Sequence, residues 1–134
     1  MADKLSSSPV WPTVAVKNLK RSRDFYEGIL GYQPMPMMES DEAVAYKGTG
    51  GTGVLIYPSE ENASTNKATY ACWTVKDLDA TMSDLKSKGV QFENYDQPGI
   101  KTENGVATYE EGGKTMKAAW FKDPDGNILN IMEM

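Results

Sequence analysis

The sequence predicts an α+β fold made of two tandem units, each with the order strand, helix, strands. Three observations predict it. The segments VAVKNLKRS (residues 14–22) and WTVKDLDAT (residues 73–81) match at an offset of 59 residues, which indicates an internal duplication. Both segments run into a stretch with helical spacing of apolar residues that a glycine ends. Runs of β-branched and aromatic residues, typical of strands, follow each predicted helix.

The first unit begins with a predicted strand over residues 12–16. Asn18 follows it and is a preferred helix-capping residue, so we expect a helix over 19–30 that Gly31 ends. The glycine-rich GTGGTG lacks the lysine of a phosphate loop and opens no helix, so it predicts a hairpin turn. That turn joins two predicted strands, 43–46 and 54–57.

The second unit repeats this order, with Asp77 as the helix cap and Gly89 as the helix end. The predicted strand before the helix is 69–75, the helix is 78–88, and the strands after it are 90–92, 106–109, 116–121 and 128–132. The motif DPDG at 123–126 predicts a hairpin turn rather than a metal site. Residues 93–104 form the longest stretch predicted to be irregular, which is a candidate for a pocket rim.

The chain is long enough for one domain, which we expect to span residues 1–134. Its two units would cover about 10–58 and 68–134, joined by a polar linker over 59–67. One helix per unit can cover only one face of each sheet, so the other face is left for another use.

Composition excludes several classes of function. A formal net charge of −5 argues against a nucleic-acid or anionic-membrane partner, because both require a basic surface. We find no run of membrane-spanning length and no signal peptide, and the single cysteine fits a reducing compartment, so we expect a cytoplasmic protein. The chain contains no histidine, which excludes any site that needs an imidazole.

Three stretches in order, VAVKNLKRSRDFYEGILGY, WTVKDLDATMSDLKSKGVQF and AAWFKDPDGNILNI, together with the repeat, resemble the vicinal-oxygen-chelate superfamily. That superfamily includes glyoxalase I, extradiol dioxygenases, fosfomycin-resistance proteins and bleomycin-binding proteins. The resemblance implies two βαβββ modules whose free sheet faces curve into one cup-shaped mixed sheet that holds a ligand. Many members dimerise, so a homodimer is expected.

The same resemblance places the superfamily's metal-binding positions at Trp11, Tyr57, Tyr70 and Asn130. An indole N–H has no lone pair to give, and neutral phenols and an amide hold a first-row divalent metal weakly. We therefore expect no metal, no cofactor and no metal-dependent isomerase or dioxygenase chemistry.

In place of a metal site, the resemblance implies a cup lined by aromatic side chains and one amide. Such a surface suits a small organic molecule, aromatic or antibiotic-like, held by stacking. Cys72 is a further candidate, because it is two residues from Tyr70 on the same predicted strand and so shares its face. Tyr46 and Trp120 are candidates too, although the sequence does not decide which face of the sheet they occupy. The expected binding residues are Trp11, Tyr46, Tyr57, Tyr70, Cys72, Trp120 and Asn130, with no catalytic residue among them.

Other interpretations stay open at this point. Aromatic residues on strands also fill protein cores and dimer seams. The chain could be a lyase, isomerase or dioxygenase with atypical or no metal ligands, or a dimeric regulatory module. Met35, Met37 and Met38 could form either a ligand rim or a dimer seam. We expect Trp73 in the helix-facing core, and Glu133 in solvent.

Overall fold

The computed structural model describes residues 4–133, and of Glu111 only the backbone. Residues 1–3 and 134, the ends of the predicted domain, lie outside this range. The chain folds as two compact units that divide between Thr65 and Asn66, which we call unit 1 and unit 2. In the described part of the chain, no helix is both long and apolar enough to cross a membrane.

Unit 1 has the βαβββ order that the family resemblance implies. Its strands and helix are β1 (Thr13–Val16), α1 (Leu19–Arg23), β2 (Pro34–Glu39), β3 (Val44–Lys47) and β4 (Gly53–Pro58). The four strands form a sheet in the order β1-β4-β3-β2, with β1 and β4 parallel and the other pairs antiparallel. A short 3-10 turn, Thr49–Gly51, joins β3 to β4, so the glycine-rich segment is a hairpin connection as expected.

The helix of unit 1 begins where the sequence predicts. The Asn18 side chain accepts a hydrogen bond from the backbone N–H of Arg21 at 3.0 Å, which caps α1. From Asp24 to Ile29 the helix continues as a π-helix, a wider helix that the spacing of apolar residues does not reveal. Strand β2 was not predicted, because its two prolines and consecutive methionines lack a strand pattern.

Unit 2 starts with the same strand and helix and adds a hairpin. Its elements are β5 (Thr69–Val75), α2 (Leu78–Ser87), β6 (Asp96–Gln97), β7 (Ile100–Glu103), β8 (Val106–Glu111), β9 (Lys114–Lys122) and β10 (Ile128–Glu133). The sheet order is β5-β10-β9-β8-β7-β6, with β5 and β10 parallel. In both units, the first strand therefore pairs in parallel with the last, as expected of a duplicated unit. The predicted α+β class is confirmed, while the joining of the two sheets into one cup stays a prediction.

Two local predictions in unit 2 are wrong. The stretch 93–104 is not irregular, because β6 and β7 form a small antiparallel hairpin within it. The predicted strand at 90–92 does not form, and only Phe92 makes an isolated bridge, to Phe121. Tertiary pairing decided both cases, since short segments carry too little pattern to fix their structure.

The DPDG motif forms the predicted hairpin turn between β9 and β10. Asp123 organises it: its Oδ1 accepts hydrogen bonds from the backbone N–H groups of Asp125 (3.0 Å) and Asn127 (2.9 Å). The side-chain amide of Asn127 donates to Asp123 Oδ2 at 2.8 Å. Gly126 has φ +91°, a conformation that glycine adopts without strain.

Glu133 was expected in solvent and instead stabilises α2. Its Oε1 accepts a hydrogen bond from the backbone N–H of Leu78 at 2.8 Å, at the first residue of the helix. A carboxylate there satisfies a free helix N–H and interacts favourably with the helix dipole. This contact also shows which face of β10 is turned toward α2.

Candidate functional site

The sheet of unit 2 has one face against α2 and one face without a helix. Glu133 caps α2, so its side chain is on the face of β10 that is turned toward this helix. Every second residue of a strand shares a face, so Ile131 and Leu129 also point toward α2. Trp73, next to Ile131 on β5, stacks on Phe121 on this side at 6.3 Å between ring centroids. Trp73 therefore lies on the helix-facing side, as the sequence predicts.

A row of three side chains crosses the helix-free face. Asn130 on β10 pairs in register with Cys72 on β5 and with Trp120 on β9. Side chains in register on neighbouring strands share a face and lie within contact range of one another. We call Cys72, Asn130 and Trp120 the central row; the thiol is exposed, while the amide and the indole are buried.

The amide of Asn130 is tied to the backbone. Its Nδ2 donates hydrogen bonds to the carbonyl oxygens of Ala119 (2.9 Å) and Ile131 (3.3 Å). Both partners are carbonyl oxygens, which only accept hydrogen bonds. Flipping the amide would place Oδ1 against two oxygens, so the nitrogen is the atom that faces them. Residue 130 is 5% exposed, so the orientation of the amide is held by packing as well as by hydrogen bonds.

The indole of Trp120 forms the apolar part of the face. It packs with Ala107 and Ala118, and its Nε1 donates a hydrogen bond to Thr69 Oγ1 at 3.2 Å. The ring of Tyr95 meets it edge-on, with 5.7 Å between centroids and 83° between planes. Edge-to-face pairs of this kind are favourable beyond their buried area.

The segment predicted to be a rim packs on this face through Tyr95 and Ile100. Two hydrogen bonds hold its shape: the backbone N–H of Tyr95 donates to Thr102 Oγ1 at 2.8 Å, and that of Gly105 donates to Asn94 Oδ1 at 2.9 Å. Burial and the negative charge of Glu93 raise the pKa of Tyr95, so its hydroxyl stays protonated at neutral pH.

Sequence reasoning did not find Thr69 or Tyr95. The facing of Thr69 could not be predicted from the sequence, because a β-bulge interrupts the alternation of β5. Thr69 pairs with Ile128 and Ala71 pairs with Leu129, which leaves Tyr70 as the extra residue. Simple alternation from Tyr70 therefore does not fix the facing of its neighbours. Tyr70 is half-buried, and its hydroxyl oxygen accepts a hydrogen bond from the backbone N–H of Asn66 at 3.1 Å.

Cys72 has the chemistry of a neutral thiol. Partial burial raises its pKa, which keeps the sulfur protonated at neutral pH and lowers its nucleophilicity. Its Sγ–H points at the carbonyl oxygen of the next residue, Trp73, at 3.9 Å. This environment favours contact with a ligand over covalent catalysis.

In unit 1, Trp11 and Tyr57 belong to the face turned away from the helix. Tyr57 pairs in register with Ala15. It follows Ile56 in β4 and so points to the opposite face, because Ile56 is wholly buried beside Val14. Trp11 precedes β1, and its Nε1 donates a hydrogen bond to the carbonyl oxygen of Gly51 at 3.0 Å. Both rings are half-buried, so each presents part of its surface.

Tyr46 lies on the helix side of unit 1 and is 0% exposed. It stacks on Tyr26 of the π-helical segment, with 6.1 Å between centroids, and on Tyr32 at 5.4 Å. Its hydroxyl donates a hydrogen bond to Glu27 Oε2 at 2.9 Å. With its ring enclosed and its hydroxyl engaged, Tyr46 is a core residue, and we leave it out of the proposed binding residues.

Glu27 joins Tyr46 to a charged surface network. Arg23 Nε donates to Glu27 Oε2 at 2.6 Å, and Arg23 also pairs with Glu39. The hydrogen bonds from Arg23 and then Tyr46 lower the pKa of Glu27, while burial and the Glu27 charge raise the pKa of Tyr46 well above its usual range. An open cleft of about 400 Å³ lies over this network, lined by Leu19, Lys20, Arg23, Asp24, Glu27, Ser40 and Asp41. Its lining is charged and lacks aromatic surface, unlike the central row.

The residues present do not fit a metal site. Asn130 could offer a metal only one neutral amide oxygen, and the indole of Trp11 has no lone pair to give and donates its N–H to Gly51. Over residues 4–133, no group of three or more His, Cys, Asp or Glu side chains is placed to hold a metal ion. The donor set that a divalent first-row metal prefers is therefore missing at the described positions.

Comparison with known proteins identifies the relatives of this fold. Residues 8–131 match the family model of the Glyoxalase/Bleomycin resistance protein/Dioxygenase superfamily. No curated protein matches the chain in sequence.

Solved structures share the fold along nearly the whole chain. A glyoxalase/bleomycin resistance protein from Catenulispora acidiphila DSM 44928 is 22% identical, with a TM-score of 0.69 over 96% of this chain and 99% of that one. A glyoxalase/bleomycin resistance protein/dioxygenase from Alicyclobacillus acidocaldarius is 15% identical, with a TM-score of 0.68 over 98% and 94%. TnmS3, an antibiotic-binding protein from Streptomyces sp. CB03234, is 17% identical, with a TM-score of 0.66 over 98% of each chain.

Gly53 is the residue that lets Trp11 lie close to β4. A Cβ at this position would lie 2.3 Å from the backbone oxygen of Tyr46 and 2.8 Å from the Trp11 ring. We expect Gly53→Ala to lower the free energy of unfolding by about 2 kcal/mol or more, as overpacking does. Urea denaturation followed by tryptophan emission measures this. Gly28→Ala is the control, because a Cβ there meets nothing within 4 Å; equal stability of both variants would contradict the predicted contact.

The Tyr46–Glu27 hydrogen bond makes stability depend on pH. Tyr46→Phe should lower the free energy of unfolding at pH 7 by about 1.5–3 kcal/mol, the usual range for a hydrogen bond to a charged group. The folded pKa of Glu27 is lowered from 4.5. The stabilisation is therefore present above about pH 4.5 and is lost as the pH falls through the lower folded value.

Urea denaturation of wild type and Tyr46→Phe between pH 7 and pH 3 checks this, and the difference should narrow on acidification. Tyr57→Phe is the matched control, since no hydrogen bond of the Tyr57 hydroxyl occurs within the described residues. A Tyr46→Phe deficit that stays constant down to pH 3 would refute the coupling.

Proposed function

The chain belongs to the Glyoxalase/Bleomycin resistance protein/Dioxygenase superfamily, and on that premise we propose that it binds a small organic molecule without a metal ion. The proposed binding surface is the helix-free face of the unit 2 sheet. The observation that carries the proposal is the central row, in which a thiol, an amide and an indole occupy three register positions across β5, β10 and β9.

The composition of this face favours a flat, largely apolar ligand. Trp120 and Tyr95 supply aromatic surface, and the short side chains of Ala107 and Ala118, each 1% exposed, pack against them. Aromatic surface with a few fixed polar groups is the usual lining of small-molecule sites. The rim segment adds Ile100 at the side of this surface.

The fold of an antibiotic-binding protein supports the class of ligand. TnmS3, which shares the fold at 17% identity, is described as binding an antibiotic. We extend that class to this chain as an aromatic or antibiotic-like molecule. The proposal also keeps Cys72 and Tyr70 of unit 2 as ligand-contacting residues. Trp11 and Tyr57 of unit 1 stay predicted binding residues on the resemblance alone.

Binding should be detectable with aromatic antibiotics and should depend on Trp120. We would test bleomycin and doxorubicin, together with planar aromatic metabolites such as indole, by thermal shift and calorimetry. A compound at one hundred times its Kd should raise the Tm by roughly 5–10 °C. Trp120→Leu should weaken binding roughly tenfold, because it removes the stacking surface.

Trp73→Leu is the matched control for this test. It removes an indole from the same sheet but from the side facing α2, so it should lower stability and leave the Kd unchanged. No stabilisation by any compound, or equal loss of affinity in both variants, would sink the proposal. A stoichiometric transition metal in the untagged protein would favour the enzyme alternative instead.

We further propose that the protein is a homodimer. Strand β2 is the edge of the unit 1 sheet, and it carries Met37, which is 94% exposed, and Met38. Exposed apolar residues on an edge strand are a common feature of chain association. Light scattering should give twice the chain mass of 14.8 kDa, and Met37→Glu should reduce it; a monomer at all concentrations tested would refute the dimer.

A further inference from the structure

We propose that the ligand of the unit 2 face carries an N–H or O–H group, which donates a hydrogen bond to Asn130 Oδ1. This inference rests on the proposed function and narrows its ligand class. It follows from which polar atoms of the central row are already engaged within the protein.

The hydrogen atoms of the central row are directed at protein acceptors. Both N–H groups of the Asn130 amide point to backbone carbonyl oxygens, those of Ala119 and Ile131. The indole N–H of Trp120 is directed to Thr69 Oγ1. The thiol of Cys72, a weak donor, points to the carbonyl of Trp73. A ligand that offers only acceptor atoms therefore finds no free donor along this row.

The oxygen of Asn130 is in the opposite situation. Within residues 4–133, Oδ1 accepts no hydrogen bond from the protein. No side-chain oxygen or nitrogen that is fully buried in this part of the chain lacks a partner, so Oδ1 must reach the surface of the face. The residue that carries this oxygen is only 5% exposed. It is a fixed acceptor that is open on one side.

Such an acceptor discriminates between ligands by the direction of the hydrogen bond. A ligand that covers Oδ1 with an apolar group or with its own acceptor leaves the oxygen without water and without a partner, which is costly. A donor at the edge of an aromatic ring satisfies the oxygen while the ring contacts Trp120. The hydroxyls of Thr69 and Tyr95 can donate or accept, so they add no preference of their own. The chain's net charge of −5 also disfavours an anionic ligand.

The predicted ligand class is therefore a planar aromatic compound with a phenolic O–H, an amide N–H or an amine at its edge. The probes that test it are 2-naphthol and 2-methoxynaphthalene, which have the same ring system and differ in the donor. Wild-type protein should bind 2-naphthol roughly five- to tenfold more tightly than its methyl ether, measured by NMR titration. Asn130→Leu should abolish this preference and still bind the ether.

A second measurement on the wild-type protein guards against a variant that fails to fold. The side-chain amide signals of Asn130 should shift with 2-naphthol and shift less with the ether. Equal affinity for the two probes, or tighter binding of the ether, overturns the inference even if Trp120→Leu weakens both, in which case the proposed function stands. Failure of 2-naphthol to bind also overturns it, and failure of the antibiotic panel as well overturns the proposed function.

Discussion

The pairing of β10 between β5 and β9 is the constraint on which the rest of unit 2 depends. Its register with β5 and β9 determines which side chains of three strands share a face. On one side it aligns Leu129 and Ile131 with the core under α2, and Glu133 caps that helix. On the other side it places Asn130 between Cys72 and Trp120. A shift of one residue would exchange the two faces, bring the amide under the helix and remove the cap.

The resemblance to the vicinal-oxygen-chelate superfamily implies a metal-binding carboxylate at residue 130, and this chain has Asn130 there. A carboxylate at residue 130 would need cations or donors around it, whereas Asn130 supplies its own donors to the backbone and keeps one acceptor. Members of a superfamily can keep a fold while the site changes, because function resides in the side chains placed on the fold. On the helix-free face of unit 2, the register of β5, β10 and β9 brings together a thiol, an amide and an indole, and this is the set for which we propose an organic ligand.

The fold class was predicted from the internal repeat and the order of the motifs. The helix caps at Asn18 and Asp77 and the DPDG turn were predicted because each depends on local chemistry. Sequence reasoning could not find the β-bulge at Tyr70 or the hairpin within 93–104, because both are set by pairing with distant strands. Tyr46 shows the same limit. Its strand was predicted, but the side of the sheet on which it meets Tyr26 depends on how β3 pairs with its neighbours, and one sequence does not determine that pairing. The hydrogen bonds of the Asn130 amide could not be predicted from the sequence either, since they depend on where the carbonyl oxygens of β9 and β10 lie.

The proposed function requires that an organic ligand occupies the helix-free face of the unit 2 sheet. Intermolecular nuclear Overhauser effects between a bound aromatic ligand and the isotope-labelled protein test this most directly. We expect contacts from the ligand to Cys72, Trp120 and Asn130, together with Tyr95. Contacts confined to Trp73 and Phe121 on the α2 side, or to the charged cleft over Arg23 in unit 1, would contradict it.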